Sequence, residues 1–345
     1  MFNFQLSIFN YGVSNLVLPC FMQVHRSPNN LPAFKNAVIT IGTFDGVHTG
    51  HLQIIKQLRG EAKKAKGESV IITFHPHPRM IIVSDKSEIK LLNTLEEKIE
   101  LLTAQNIDYL VIVPFTKQFS EQTAEEYIND FLIKRFHPHT LITGYDHHFG
   151  KDRKGNYKML EAYADKGNYL VKEIPEHVLN QVTVSSTKIR NAVLQCNIET
   201  GNKYLGYTYF FEGMVTEGNK IGRTIGYPTA NLLVNDENKL IPGDGIYAVK
   251  VEIVNRQSAH QNQTSQPELL NGMMSIGIRP TIGKSERAIE VNIFEFENDI
   301  YGQNIRVYVK YFLREEKKFD SMNELKSAID SDKIMSVKLL LNDQV

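Results

Sequence analysis

The arrangement of apolar residues changes once along the chain, near residue 200, and the two patterns cannot belong to one architecture. From Asn36 onward, apolar runs alternate with amphipathic segments, the pattern of βα units around a parallel sheet. Ala37 to Ile41, Val70 to Phe74, Tyr109 to Val113, Thr140 to Thr143 and Tyr169 to Ile174 read as its strands. Leu52, Ile55, Leu58 and Ala62 share one face of a helix predicted to begin near His48. Thr123 and Glu126 can form a capping box ahead of an apolar face made by Tyr127, Phe131 and Leu132, and Ser186 to Gln195 reads as the last helix of this half. Past Tyr204 the segments become short, aromatic and β-branched: Tyr207 to Val215, Gly245 to Ile253, Met273 to Ile278, Ile289 to Phe296 and Ile305 to Phe312. With Gly and Pro turns between them they predict an antiparallel barrel, followed by a terminal helix boxed by Ser321 and Glu324. Asn255 to Gln266, rich in Asn, Gln and Ser, reads as a surface hairpin insertion.

A chain of 345 residues can bury two cores. The expected division is an N-terminal extension at 1–21, an α/β domain at 22–200 and a β domain at 201–345, with the helix signal fading into Asn202-Lys203. The extension is apolar, but it lacks the basic start of a signal peptide and puts Pro19 where a lipid-attachment site needs a small residue. A disordered or loosely attached segment is expected there, with Met22 as an alternative start. No later stretch approaches the roughly 20 apolar residues of a membrane span.

Lys and Arg together number 39, as do Asp and Glu, so no long-range positive field exists to hold a nucleic acid backbone. Any anion must therefore be held by local donors. Cys20 and Cys196 lie far apart, and neither has a second Cys or His at metal-ligand spacing. Neither a disulfide framework nor a zinc site is expected, and a reducing, cytoplasmic compartment fits. Nothing in the sequence calls for an obligate protein partner.

The segment Gly42-Thr43-Phe44-Asp45-Gly46-Val47-His48-Thr49-Gly50-His51 leaves a buried strand and enters a helix. At such a junction backbone N–H groups and the helix dipole converge on an anion, and glycines admit phosphate to the main chain. His48 and His51 can face the same phosphate edge, an arrangement suited to nucleotidyl transfer. The bland alternative is a capping residue and a surface residue of an ordinary helix.

The segment resembles the signature of the HxGH nucleotidyltransferases. Its GTFDGVHTGH form is similar to the FMN adenylyltransferase module of bifunctional bacterial riboflavin kinase/FAD synthetases. That resemblance implies a Rossmann-like domain in which Gly42, Phe44, Asp45, Gly46 and Gly50 meet ATP, with His48 and His51 catalytic. Thr73-Phe74-His75-Pro76-His77-Pro78 is similar to the family's TFxPHP stretch on the flavin side, implicating Phe74, Pro76 and His77. Gly144-Tyr145-Asp146-His147-His148-Phe149-Gly150 resembles GxDFRFG, which implies a flavin contact for Asp146, although His147 and His148 replace the usual Phe and Arg. Val184-Ser185-Ser186-Thr187-Lys188-Ile189-Arg190 is similar to the ISSTxIR motif that grips ATP phosphates, with Ser186 and Thr187 as contacts and Arg190 catalytic. Two hydroxyls at a helix start beside a guanidinium do make an anion site.

In the second half Gly213, Gly218, Gly222 and Gly226 lead to Pro228-Thr229-Ala230-Asn231, which resembles the PTAN signature of riboflavin kinases. The resemblance implies that Thr229 and Asn231 hold the Mg²⁺ that accompanies ATP, and that Gly218 and Arg223 lie near the nucleotide. Glu290, amid apolar neighbours, looks like the family's general base for the ribityl hydroxyl, and Arg314 in a stretch similar to LRPExKF like a flavin contact. The implied activity is phosphorylation of riboflavin to FMN by the barrel and adenylylation of FMN to FAD by the N-terminal domain. Two rivals stay open at this point: a nucleotidyltransferase for another small phosphate ester fused to a barrel, and a flavin-binding regulator without turnover.

Overall fold

The structure, a computed structural model, describes residues 22–83, 89–144, 147–174, 184–218, 221–254, 268–281 and 284–342. The expected extension at 1–21, Asp146 and the insertion Asn255 to Gln266 lie outside the described residues.

Six parallel strands form the N-terminal sheet: β1 (Gln23–His25), β2 (Val38–Ile41), β3 (Ser69–His75), β4 (Tyr109–Pro114), β5 (Thr140–Gly144) and β6 (Leu170–Ile174), in the order β1-β4-β3-β2-β5-β6. The expected strands are present with small shifts of their ends. The addition is β1, a three-residue edge strand too short for its periodicity to be read. Apolar residues bury both faces of the sheet. Ile39, Val70, Ile72 and Val111 face one layer, and Val38, Ile71, Leu110 and Ile112 face the other.

Helix α1 (Thr49–Ala65) packs Ile55, Leu58 and Ala62 inward, and α2 (Leu95–Thr103) opens with a capping box between Thr94 and Glu97. The predicted box of Thr123 and Glu126 is formed, and Tyr127, Phe131 and Leu132 are buried. The helix it starts winds as a π-helix over Tyr127–Ile133, which no local residue pattern announces. Strand β2 lies between β3 and β5, where the strand order reverses. A crevice opens at the carboxyl ends of the strands at such a point, and residues 42–48 run through it.

After α3 (Ser186–Leu194) comes α4 (Ile198–Leu205), which runs through Asn202-Lys203. The expected fading of the helix there does not occur. The Asn197 side chain caps its start, and Gly206, at φ 82°, ends it in a left-handed conformation that suits glycine. Asn202 is used across the helix instead, donating to Val309 O and accepting from Tyr209 N.

The second half is a closed antiparallel barrel of β7 (Phe210–Thr216), β8 (Ala230–Leu233), β9 (Gly245–Val254), β10 (Leu270–Thr281), β11 (Lys284–Ile293) and β12 (Asn304–Arg314), in the order β10-β11-β8-β7-β12-β9. Phe211, Tyr247, Val249, Met274, Val291 and Val307 fill it, alternating with less buried neighbours as a barrel wall requires. The terminal helix α5 (Met322–Asn342) lies against β9, β10 and β12. Only half of its expected box forms. The Ser321 hydroxyl accepts from Glu324 N, while the Glu324 carboxylate takes Asp320 N instead.

The two halves share a wall. Leu91 bridges to Lys239 in parallel, and the Lys239 ammonium, 1% exposed, meets Glu97 of α2 at 2.6 Å. Arg306 of β12 joins Glu212 and Glu100 in the same way.

Candidate active sites

The loop between β2 and α1 holds three unusual conformations within four residues. Phe44 (φ 48°), Gly46 (φ 87°) and Val47 (φ 36°) lie in the left-handed region, which a β-branched residue such as Val47 adopts only under constraint. The constraint comes from Asp45, which is 1% exposed. Its Oδ1 accepts from Leu92 N at 2.9 Å, its Oδ2 pairs with Arg190 at 2.9 Å, and its carbonyl accepts from Ser186 Oγ at 2.9 Å. At Gly46 a Cβ would come within 2.6 Å of the Leu92 side chain, so the loop can be this tight only with glycine.

His48 is the N-cap of α1, and its Nδ1 accepts from His51 N, which leaves the proton on Nε2. The two imidazoles stack with centroids 3.7 Å apart, the Phe44 ring lies 4.9 Å from that of His51, and Gly50 lies against the His48 ring. Burial pushes His48 down to about 4 against the pull of Asp45. Burial, with His48 and Lys98 adding to it, holds His51 well below the usual histidine range. Both rings are therefore neutral at pH 7 and can meet an anion only as N–H donors. His51 Nδ1 is buried and has no hydrogen-bond partner among the described residues.

Just beyond β3, His77 lies within the field of Asp45 and Arg190 on the other side of this crevice. It is buried, accepts from Arg79 N through Nδ1 and is lowered to about 4 by desolvation. Pro76 is half-buried beside it. Phe74 is turned into the aromatic cluster of Phe115 and Phe119, so its ring belongs to the core. Across the crevice Ser186, Thr187 and Arg190 occupy the first turns of α3, with Thr187 exposed. The structure thus brings Gly42, Phe44, Asp45, Gly46, His48, Gly50, His51, His77, Ser186 and Arg190 to one place. A cavity of this half, about 660 Å³ beside Val113, Phe119 and Arg135, contains none of them.

In the barrel, Thr229 Oγ1 donates to Glu290 Oε2 at 3.2 Å, and Glu290 on β11 stands opposite Asn231 on β8. A Cβ at Gly218 would fall 2.0 Å from the Asn231 amide, so only glycine lets this loop cover that side chain. Thr229 and Arg223 line one cleft with Ile293, Phe296, Asp299 and Tyr301. Arg314 is held elsewhere. Its guanidinium makes a bidentate pair with Asp332 of α5 at 2.9 and 2.7 Å. Among the described residues no group of three or more His, Cys, Asp and Glu side chains could hold a metal ion.

Residues 31–188 match the family model of FAD synthetase, and residues 205–340 match that of riboflavin kinase. The bifunctional riboflavin kinase/FMN adenylyltransferase of Listeria monocytogenes is 36% identical over 299 residues, 86% of this chain and 90% of that one. The chain belongs to this bifunctional family. The Haemophilus influenzae member is 33% identical over 90% of this chain and 97% of its own length. A solved structure described as a macrolide-efflux protein from Streptococcus pneumoniae also matches, with 30% identity, a TM-score of 0.78 and coverage of 92% of this chain and 98% of that one. In the present chain no helix among the described residues is long and apolar enough to cross a membrane.

Within the adenylyltransferase module, two residues that the sequence reading does not single out bear on the site. Lys98 reaches the loop carbonyl of Thr43 at 2.7 Å, and Tyr207, from beyond the module, donates to Gly46 O at 2.8 Å. Lys98 could have been suspected from its place in the apolar repeat of α2, where it is 6% exposed. Tyr207 carries no such signal.

Proposed function

We infer that this chain carries both activities of its family, each in its own half: residues 201–345 phosphorylate riboflavin and residues 22–200 adenylylate the FMN produced. The hydrogen bond between Thr229 and Glu290 carries this reading, because it sets a hydroxyl suited to a cation beside a carboxylate suited to an alcohol.

In the kinase half, Glu290 takes the proton of the ribityl 5′-hydroxyl as its oxygen attacks the terminal phosphorus of ATP, the bond to the β-phosphate oxygen breaks, and FMN, ADP and a proton result. Thr229 and Asn231 would hold Mg²⁺. A hydroxyl oxygen and an amide oxygen are hard donors, but two are too few for a lasting site, so the ion would come with the nucleotide and neutralise its phosphates. Gly218 and Arg223 border the nucleotide.

In the adenylyltransferase half a phosphate oxygen of FMN bonds to the α-phosphorus of ATP and the bond to the β-phosphate breaks, giving FAD and diphosphate with no net proton transfer. His48 and His51 donate to the α-phosphate as neutral imidazoles, while Ser186, Thr187 and Arg190 border the departing diphosphate from the start of α3. Asp45 and Phe44 act by shaping the loop, and Pro76 and His77 face the flavin side. The two distant cysteines support a reducing, cytoplasmic setting.

The test is direct. Purified protein given riboflavin, ATP and Mg²⁺ is expected to yield FMN and then FAD, resolved by chromatography, and FMN given alone with ATP is expected to yield FAD. Failure to form FAD from FMN would remove the N-terminal assignment, and failure to form FMN would remove the other.

A further inference from the structure

We propose that Lys98 is a further residue of the adenylyl-transfer centre: its ammonium receives the FMN phosphate between the loop that follows β2 and the turn that follows β3. This rests on the reading of residues 22–200 as the FMN adenylyltransferase.

The Lys98 side chain enters the crevice from α2 and is 6% exposed. An ammonium has three N–H donors. Among the described residues one acceptor is present, the Thr43 carbonyl at 2.7 Å. That carbonyl also accepts from Thr73 Oγ1 of β3 at 3.2 Å, so it marks where the β2 loop and the end of β3 meet. The field of Lys98 reaches both sides of that meeting point, depressing His51 on the nucleotide side and His75 and His77 on the flavin side.

Burying a cation is unfavourable unless an anion meets it. The carboxylate whose charge acts on Lys98, that of Asp45, is already held by Arg190 and by the N–H of Leu92. No carboxylate among the described residues pairs with Lys98 within 4 Å. If Lys98 served only to pin Thr43, a neutral donor would do so without the cost of desolvation. A cation at this place would serve the reaction. Two polyanions must approach until a phosphate oxygen of one bonds to phosphorus of the other, and the buried imidazoles His48 and His51, being neutral, do not offset that repulsion.

Lys98→Gln keeps a donor for Thr43 and removes the charge, and Lys98→Met removes both. Steady-state conversion of FMN to FAD is measured alongside conversion of riboflavin to FMN, which reports whether the chain is folded. The loss of one charge-assisted phosphate contact is expected to raise the KM for FMN by about tenfold to a hundredfold in both variants. The KM for ATP in the same reaction and the kinase turnover are expected to be unchanged. A folded Lys98→Gln protein with the KM for FMN of the parent, or with both KM values raised together, overturns the proposal. If the parent protein makes no FAD from FMN and ATP, the underlying reading fails instead.

Discussion

The hydroxyl of Tyr207 donates to the carbonyl of Gly46 across 2.8 Å, so a residue that precedes the barrel clasps the most tightly turned glycine of the adenylyltransferase loop. Thr49 returns the contact by donating to the carbonyl of Tyr204. Tyr207→Phe leaves a carbonyl unsatisfied and loosens the loop. FAD formation is expected to fall several-fold while FMN formation persists, with a stability loss of about 1 kcal/mol in urea unfolding. Equal loss of both activities would show that Tyr207 serves the general fold only.

Separate sites should fail separately. Glu290→Gln keeps the bond to Thr229 but cannot accept a proton, and riboflavin phosphorylation is expected to drop by about two to four orders of magnitude, the usual range for a general base. Conversion of supplied FMN to FAD is expected to continue. His51→Ala is expected to do the reverse. Chromatography of both reactions for both variants decides.

Buried neutral histidines make stability depend on pH. His48 and His77 are each lowered to about 4 from an ordinary value near 6.5, so the unfolded chain binds more protons than the folded chain between those values. Their contribution is complete above about 6.5 and is lost as pH falls toward 4. Unfolding midpoints measured from pH 7.5 to 4 are expected to decline through that window, and His77→Gln should flatten the decline. A slope identical to that of the parent would exclude His77 as a source.

The wall between the halves contains a fully buried ion pair. Lys239→Met leaves the buried Glu97 carboxylate without a cation, held only by the Thr94 N–H, at an expected loss of about 3 to 5 kcal/mol. The double variant Lys239→Met with Glu97→Gln should regain much of it, because a neutral amide is far easier to bury. Thermal melts of the three proteins test the order.

Much of this was readable from periodicity and local chemistry. The strand runs around Ile39, Ile71 and Val111 are continuous because both faces of a parallel sheet are covered, and the barrel strands alternate because only one face is. His48 and His51 were identifiable because cap, glycine and imidazoles all lie within one helical turn. What escaped depends on residues distant in sequence. Asp45 and Arg314 look like ligand contacts in isolation, yet each is engaged by a partner, Arg190 or Asp332, that no local pattern selects. Phe74 reads as part of a binding stretch, but Phe115 and Phe119 claim its ring. Lys98 shows only as a charge within the apolar repeat of α2 until the loop it supports is in view.

The three grips of Asp45, on Leu92, on Arg190 and on Ser186, tie together positions about 47, 145 and 141 residues away along the chain. Whatever lies between Leu92 and Arg190 can lengthen or shorten during evolution, provided both ends return to one carboxylate. Insertions are therefore expected to accumulate in the spans between those anchor points, and a change of Asp45 to Asn would weaken the hold on Arg190, the one contact of the three that depends on the carboxylate charge.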